Sequence, residues 1–107
     1  MEIKVTIEQR TGDSFADAIF DGKCMTVMSG KISEDFAAHI QGGKKAKSYR
    51  ENSEYVNEDR EIIKPCVFNS PSTAAQFVTG RSINGYVAWK VEKKKSLSDY
   101  LKENGLR

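Results

Sequence analysis

Ile3, Val5 and Ile7 alternate with Lys4, Thr6 and Glu8 at the start of the chain. A period of two puts the three apolar side chains on one face of a half-buried strand. Thr11-Gly12-Asp13 interrupts the pattern, and two short apolar segments, 15–20 and 24–28, flank Asp21-Gly22. That dipeptide suits a tight hairpin, because glycine adopts positive φ without a side-chain clash. The first thirty residues therefore predict three strands, at least two of them a hairpin, with Ser29-Gly30 as the end of the unit.

The period then changes. Phe36, Ala37 and Ile40 share a face at helical spacing, so 32–40 predicts a short helix or a loop, and Gln41-Gly42-Gly43 reads as a flexible joint. Residues 46–55 admit a helix with a thin apolar stripe, and 41–60 as a whole reads as a mobile polar segment. Ile62, Ile63, Val67 and Phe68 predict a strand over 61–68. Pro65 cannot donate a ladder hydrogen bond, so this strand lies at an edge or is broken.

The stretch from Ser70 to Lys90, SPSTAAQFVTGRSINGYVAWK, has the strongest local signals. Ser70 is a good N-cap, and Pro71 sits at the first helical position, where its missing N–H is harmless. Ala74, Phe77 and Val78 form an apolar stripe, and Gly80 is the expected left-handed stop. Asn84-Gly85 favours a type I′ turn leading into a strand over 86–92. After a loop at 93–95, Ser96 and Asp99 mark the start of a last helix. Leu97, Tyr100 and Leu101 are its buried stripe and Gly105 is its end. The sum is an α+β fold: a small, mainly antiparallel sheet with two or three short helices packed on one face. At 107 residues one domain, 1–107, is expected, with 1–9 as an extra N-terminal strand.

Composition narrows the function classes. Apolar residues make up 38% and charged residues 30%, which is globular and on the polar side. No apolar run approaches the roughly 18 residues of a membrane span, and the amino terminus lacks the pattern of a secretory leader, so a cytoplasmic location is expected. Cys24 and Cys66 stand apart among apolar neighbours and read as reduced core cysteines. His39 is the single histidine, and neither a metal-ligand set nor a Walker or dinucleotide loop is present. Cys24 and His39 form a nucleophile–base pair only if folding brings them together. No cofactor, metal or catalytic role is expected.

Net charge is +2, from 17 basic and 15 acidic residues, too mild to announce nucleic acid by itself. Its distribution says more. Lys44, Lys45, Lys47 and Arg50 form a run without an acid, Glu51 to Glu61 carries five acids against Arg60 alone, and Lys90, Lys93, Lys94 and Lys95 form a second basic run. Such runs are either solvated surface or a face suited to phosphates. The N-terminus of the helix after Ser70 can also hold a phosphate. Arg81 offers a planar fork for phosphate or guanine, Asn84 can pair with adenine, and Ser82 lies between them. Trp89 can stack on a base. Each has a plainer role: Ser70 as a cap, Asn84 as a turn residue, Trp89 as core, and Arg81 as the partner of a local carboxylate.

The spacing of Phe68, Ser70, Pro71, Ser72, Ala74, Ala75, Val78, Gly80, Arg81, Ser82, Asn84, Gly85, Trp89 and Lys90 resembles the bacterial domain of unknown function DUF4357. The segments MTVMSGKIS and KKKSLSDYL resemble parts of the same family, so the likeness spans most of 15–101. It is similar also to the RAMA domain, a module associated with restriction enzymes and adenine methylases and proposed to read modified DNA. The family often accompanies nucleases of the GIY-YIG type, which implies recognition and not catalysis. Two departures from the family's pattern are expected: no nuclease accompanies the domain within these 107 residues, and an extra strand-like segment, 1–9, precedes it.

The expectation is a non-enzymatic accessory module that binds nucleic acid, modified DNA included, in a restriction- or nuclease-associated setting. The residues expected to make contact are Arg81, Ser82, Asn84, Trp89, Lys90, Lys44, Lys45 and Lys47. The expected partner is DNA, or a protein such as a nuclease subunit, with no membrane and no metal, and the oligomeric state is open. The alternative is a protein-interaction module in which the first strand offers a sheet edge or self-associates.

Overall fold

The alternation in the first strand is continued across the sheet. In the computed structural model, which describes residues 2–9, 12–36 and 43–106, the elements are β1 (Ile3–Glu8), β2 (Phe15–Phe20), β3 (Met25–Lys31), α1 (Gly43–Arg50), β4 (Glu61–Ile62), β5 (Cys66–Phe68), α2 (Pro71–Thr79), α3 (Gly85–Ala88), β6 (Lys90–Glu92), β7 (Lys95–Ser96) and α4 (Leu97–Glu103). The sheet order is β4-β3-β2-β1-β6-β7, with β5 also paired to β3. Every pairing is antiparallel. The chain is an α+β protein.

Register explains the core. Ile3 lies opposite Phe20, Phe20 opposite Met25, and Met25 opposite Phe68. The next row is Val5, Ala18, Val27 and Cys66. All of these side chains are buried. One face of the sheet is therefore the core face, and each large apolar group there contributes about 1.5–3 kcal/mol. On the other face Lys4, Thr6, Glu8, Phe15 and Asp17 are exposed. The Asp21-Gly22 hairpin forms as expected: the Asp21 carboxylate accepts from the N–H groups of Lys23 and Cys24 at 2.9 and 2.7 Å. Those bonds hold its carboxyl below the usual range.

Helix α2 packs over β2, β3 and β5. Its caps are those the sequence predicts. Ser70 Oγ accepts from Thr73 N at 3.2 Å, and Gly80 adopts φ 70° at the other end. Burial of Cys66 beneath it pushes that thiol up to about 12, which keeps it protonated and unreactive at neutral pH. Cys24 is half-buried.

Several boundaries differ from the sequence reading. Strand β3 does not end at Ser29-Gly30 but runs to Lys31. Gly30 permits this, since a Cβ there would fall 2.2 Å from the Phe15 carbonyl oxygen. The 61–68 segment is broken into β4 and β5 around Pro65, as proline predicts. Residues 32–36 are not helical, and the remainder of the 32–40 expectation, with His39, lies outside the described residues. The polar 43–60 segment holds α1 and a set of turns. Tyr49 from α1 meets Tyr55, Phe68 and Phe77 with ring centroids 4.8, 5.2 and 6.0 Å apart. These aromatic contacts replace the apolar stripe that the sequence of α1 lacks. The described residues thus carry four helices in place of two or three, with α1 stacked on α2.

Strand β1 is bonded to β2 along its length and to β6 at Thr6, opposite Lys90. It is an interior strand and not the free edge that the protein-interaction alternative requires.

Candidate functional site

The Ser70–Lys90 stretch folds into a joint between α2 and α3. Asn84 has φ −76° and caps α3, its Oδ1 accepting from Tyr86 N at 3.0 Å. The expected type I′ turn and the strand at Tyr86 are therefore replaced by a short helix, and the strand begins only at Lys90. Gly85 is required for a different reason from turn geometry. A Cβ on it would lie 2.1 Å from Pro71 C and 2.2 Å from Pro71 O, so α3 starts in backbone contact with the start of α2. Ser72 Oγ accepts from Gly85 N at 3.0 Å, and the Trp89 indole N–H donates to Pro71 O at 2.9 Å. Trp89 has no exposed surface. Its expected stacking on a base is corrected: the ring is core, and its polar edge is spent on the joint. The same packing occupies the start of α2, which the sequence offered as a phosphate site.

Helix α1 presents the first basic run. Lys44, Lys45 and Lys47 are exposed around the buried Ala46, and no acid lies in the first turn. Lys47 Nζ approaches Glu51 at 3.9 Å on the surface, a weak pair. Arg50, at the end of the run, turns inward. Its Nε donates to Phe77 O at 2.9 Å, an Nη group donates to Ser33 Oγ, and the guanidinium lies 4.8 Å from the Phe36 ring centre. Burial, with a smaller push from the nearby Arg60 charge, draws Arg50 down to about 10, and Asp35 opposes the shift. Arg50 still carries its charge at neutral pH.

Beside this staple is a polar cleft of about 200 Å³ where the end of β1, the segment after β3 and the end of α2 converge. Gln9, Asp13, Ser33, Glu34, Asp35, Arg60, Thr79, Gly80 and Arg81 line it. Gly80 makes the approach possible, because a Cβ there would meet the Asp35 carbonyl oxygen at 1.9 Å. Ser33 N donates to Val78 O at 2.8 Å, and Gln9 N donates to Ser14 O at 2.9 Å. Several polar groups are engaged internally: Ser33 Oγ donates to Asp35 O, Thr79 Oγ1 donates to Ala75 O, and Gln9 Oε1 accepts from Ser14 Oγ. Arg60 is the outlier. It has φ +64°, and its buried Nε has no hydrogen-bond partner among the described residues.

The expected site residues thus fall in three places. Lys44, Lys45 and Lys47 lie together on α1. Arg81 lines the cleft, followed by the exposed Ser82. Asn84, Trp89 and Lys90 belong to the α2–α3 joint, where Lys90 Nζ donates to Val87 O at 2.8 Å and closes α3. Sequence patterns do not single out Asp35, and they show Arg50 only as the last cation of the first basic run, not as an inward-turned group. Arg60 does have a signal, as the lone cation in an acidic stretch after Asn57. Asn57 Oδ1 accepts from Asp59 N and Glu61 N, and that turn sets Arg60 in its left-handed conformation. Among the described residues no three His, Cys, Asp or Glu side chains are gathered to hold a metal, and no helix is long and apolar enough to cross a membrane.

The model of the family described as a domain of unknown function (DUF4357) matches residues 9–101, and the chain belongs to that family. No curated protein and no solved structure matches it.

Proposed function

We propose that this DUF4357 member is a non-enzymatic recognition module that binds nucleic acid through α1. The observation that carries the reading is the cluster of Lys44, Lys45 and Lys47 on an exposed helix whose first turn has no acid. Two of these lysines sit at the positive end of the helix dipole, where a cation is locally unfavourable and an anion favourable. Helix rise of about 1.5 Å per residue spreads 44–50 over about 9 Å, enough to follow more than one phosphate of a strand. Arg81 and Ser82 would extend the contact at the cleft. The family resemblance adds a restriction- or nuclease-associated setting, modified DNA among the ligands, and a cytoplasmic location to the same proposal.

Fluorescence anisotropy with short duplex DNA across a salt series tests it. Three phosphate contacts give log affinity falling with log salt at a slope near roughly −2.7. Lys44→Gln, Lys45→Gln and Lys47→Gln together should flatten the slope to near zero. A slope unchanged in that variant would overturn α1 as the phosphate-binding element.

A protein partner remains the second reading, and one observation moves it from the strand edge to the sheet face. Phe15 and Met28 on the uncovered face, and Val67 on β5, are 48%, 40% and 42% exposed. Light scattering of the full chain at rising concentration reads self-association directly, and a constant monomer mass would reject a dimer through this face.

A further inference from the structure

Binding of phosphates along α1 leaves the cleft at Arg60 unexplained. Arg60 N donates to Asn57 O at 3.0 Å and Arg60 O accepts from Ile32 N at 2.9 Å, so its φ of +64° is held on both sides. A residue with a Cβ is disfavoured there, and strain of this kind persists where the surroundings over-determine it. The same residue keeps a buried N–H without a partner among the described residues, which is a second cost. The Asn57 turn fixes the backbone and Nε is buried, which leaves the outer N–H groups of the fork on a residue that lines the cleft, and these suit a ligand with paired acceptors.

The rest of the lining narrows that ligand. With Gln9, Ser33 and Thr79 engaged internally, the polar handles are the donors of Arg60 and Arg81 and the carboxylates of Glu34 and Asp35. Asp13, Glu34 and Asp35 line the same small volume, so a bare phosphate is repelled and disfavoured. The cleft volume of about 200 Å³ is below the range of drug-sized pockets and suits one fused ring system. The ligand must offer two adjacent acceptors and, on the next edge, adjacent donors. Guanine does so: O6 and N7 accept from a guanidinium, while N1–H and the N2 amino group donate to a carboxylate. Adenine sets its N6 amino donor where the guanidinium needs an acceptor.

We propose that the cleft reads an unstacked guanine base, held by Arg60 through O6 and N7 and by Glu34 or Asp35 through N1 and N2. This deepens, and rests on, the nucleic-acid reading, since a base reaches the cleft only when out of its stack, in a single strand or flipped from a duplex.

NMR titration of the labelled full chain with GMP and with AMP tests the inference. The two share a phosphate and a ribose, so contacts to α1 cancel between them. GMP should move the amide signals of Asp35, Gly80 and Arg81 and bind at least about tenfold tighter than AMP, the size of one good bidentate contact. Arg60→Asn should abolish the difference, because asparagine tolerates positive φ and the fold is kept while the fork is lost. The double variant Glu34→Gln, Asp35→Asn should weaken GMP by a similar factor. Equal responses to GMP and AMP, or GMP binding intact in Arg60→Asn, would overturn the inference, and duplex binding through α1 would stand unaffected. Selective GMP binding in a chain that binds no duplex or single-stranded DNA would uphold the cleft and overturn the nucleic-acid reading.

Discussion

Two glycines show how differently the same residue type is used. Gly85 has a Cβ position 2.1 Å from Pro71 C, with backbone atoms on every near contact. Gly105 has φ +68° and nothing within 4 Å. Gly85→Ala should therefore force α3 from α2 and stretch the Ser72 and Trp89 hydrogen bonds, costing roughly 1–3 kcal/mol as overpacking and more where those bonds break. Gly105→Ala should cost about 1 kcal/mol, from left-handed backbone strain alone. Denaturant unfolding of both variants checks this, and equal losses would refute the backbone contact as the reason for Gly85. The motif at 70–90 is visible in the sequence as a set of fixed residue types, but its use is not. Asn-Gly signals a turn with positive φ, whereas here Asn84 is a cap and Gly85 a packing residue, and only tertiary contact distinguishes the two.

Among elements, α1 is the clearest case of local stability set against surface chemistry. Its first turn has Lys44 and Lys45 and no acid, so the dipole works against it. Lys44→Glu with Lys45→Glu should stabilise the chain by roughly 0.5 kcal/mol per site, while DNA affinity falls. Thermal unfolding and anisotropy on the one variant check both signs, and a loss of stability would show that the lysines make contacts beyond solvent. Elements whose fate depends on nearest neighbours are legible in the sequence: β1 from alternation, β2 as a short apolar segment, the Asp21-Gly22 hairpin, and α2 and α4 from their caps. Helix α1 is not, because its burial comes from Tyr49 against Phe68 and Phe77, residues far along the chain. The cleft is hidden for the same reason. It gathers Gln9, Asp35, Arg60 and Arg81, single residues from separate segments, and no spacing rule connects them.

At the scale of the whole molecule, the family match begins at residue 9, after β1, yet β1 is the strand that joins the two halves of the sheet. On one side it continues into the β1-β2-β3 meander, built from neighbours in sequence. On the other, Thr6 near the start of the chain meets Lys90 near its end. Closing a loop that spans most of the chain costs about 4 kcal/mol of entropy beyond a constant term, and that cost is met before the contact is rewarded. The loop cost predicts an order of assembly. The meander is expected to form early as a template, with the β6–α4 segment docking on its exposed flank last. In stopped-flow kinetics, Val27→Ala in the meander should slow refolding, whereas Leu97→Ala at the start of α4 should leave refolding nearly unchanged and speed unfolding. The reverse pattern would place the late step in the meander. If the segment docks last, the flank of β1 that β6 covers is an open strand edge until then, and that edge is where the partly folded chain is expected to pair with another copy.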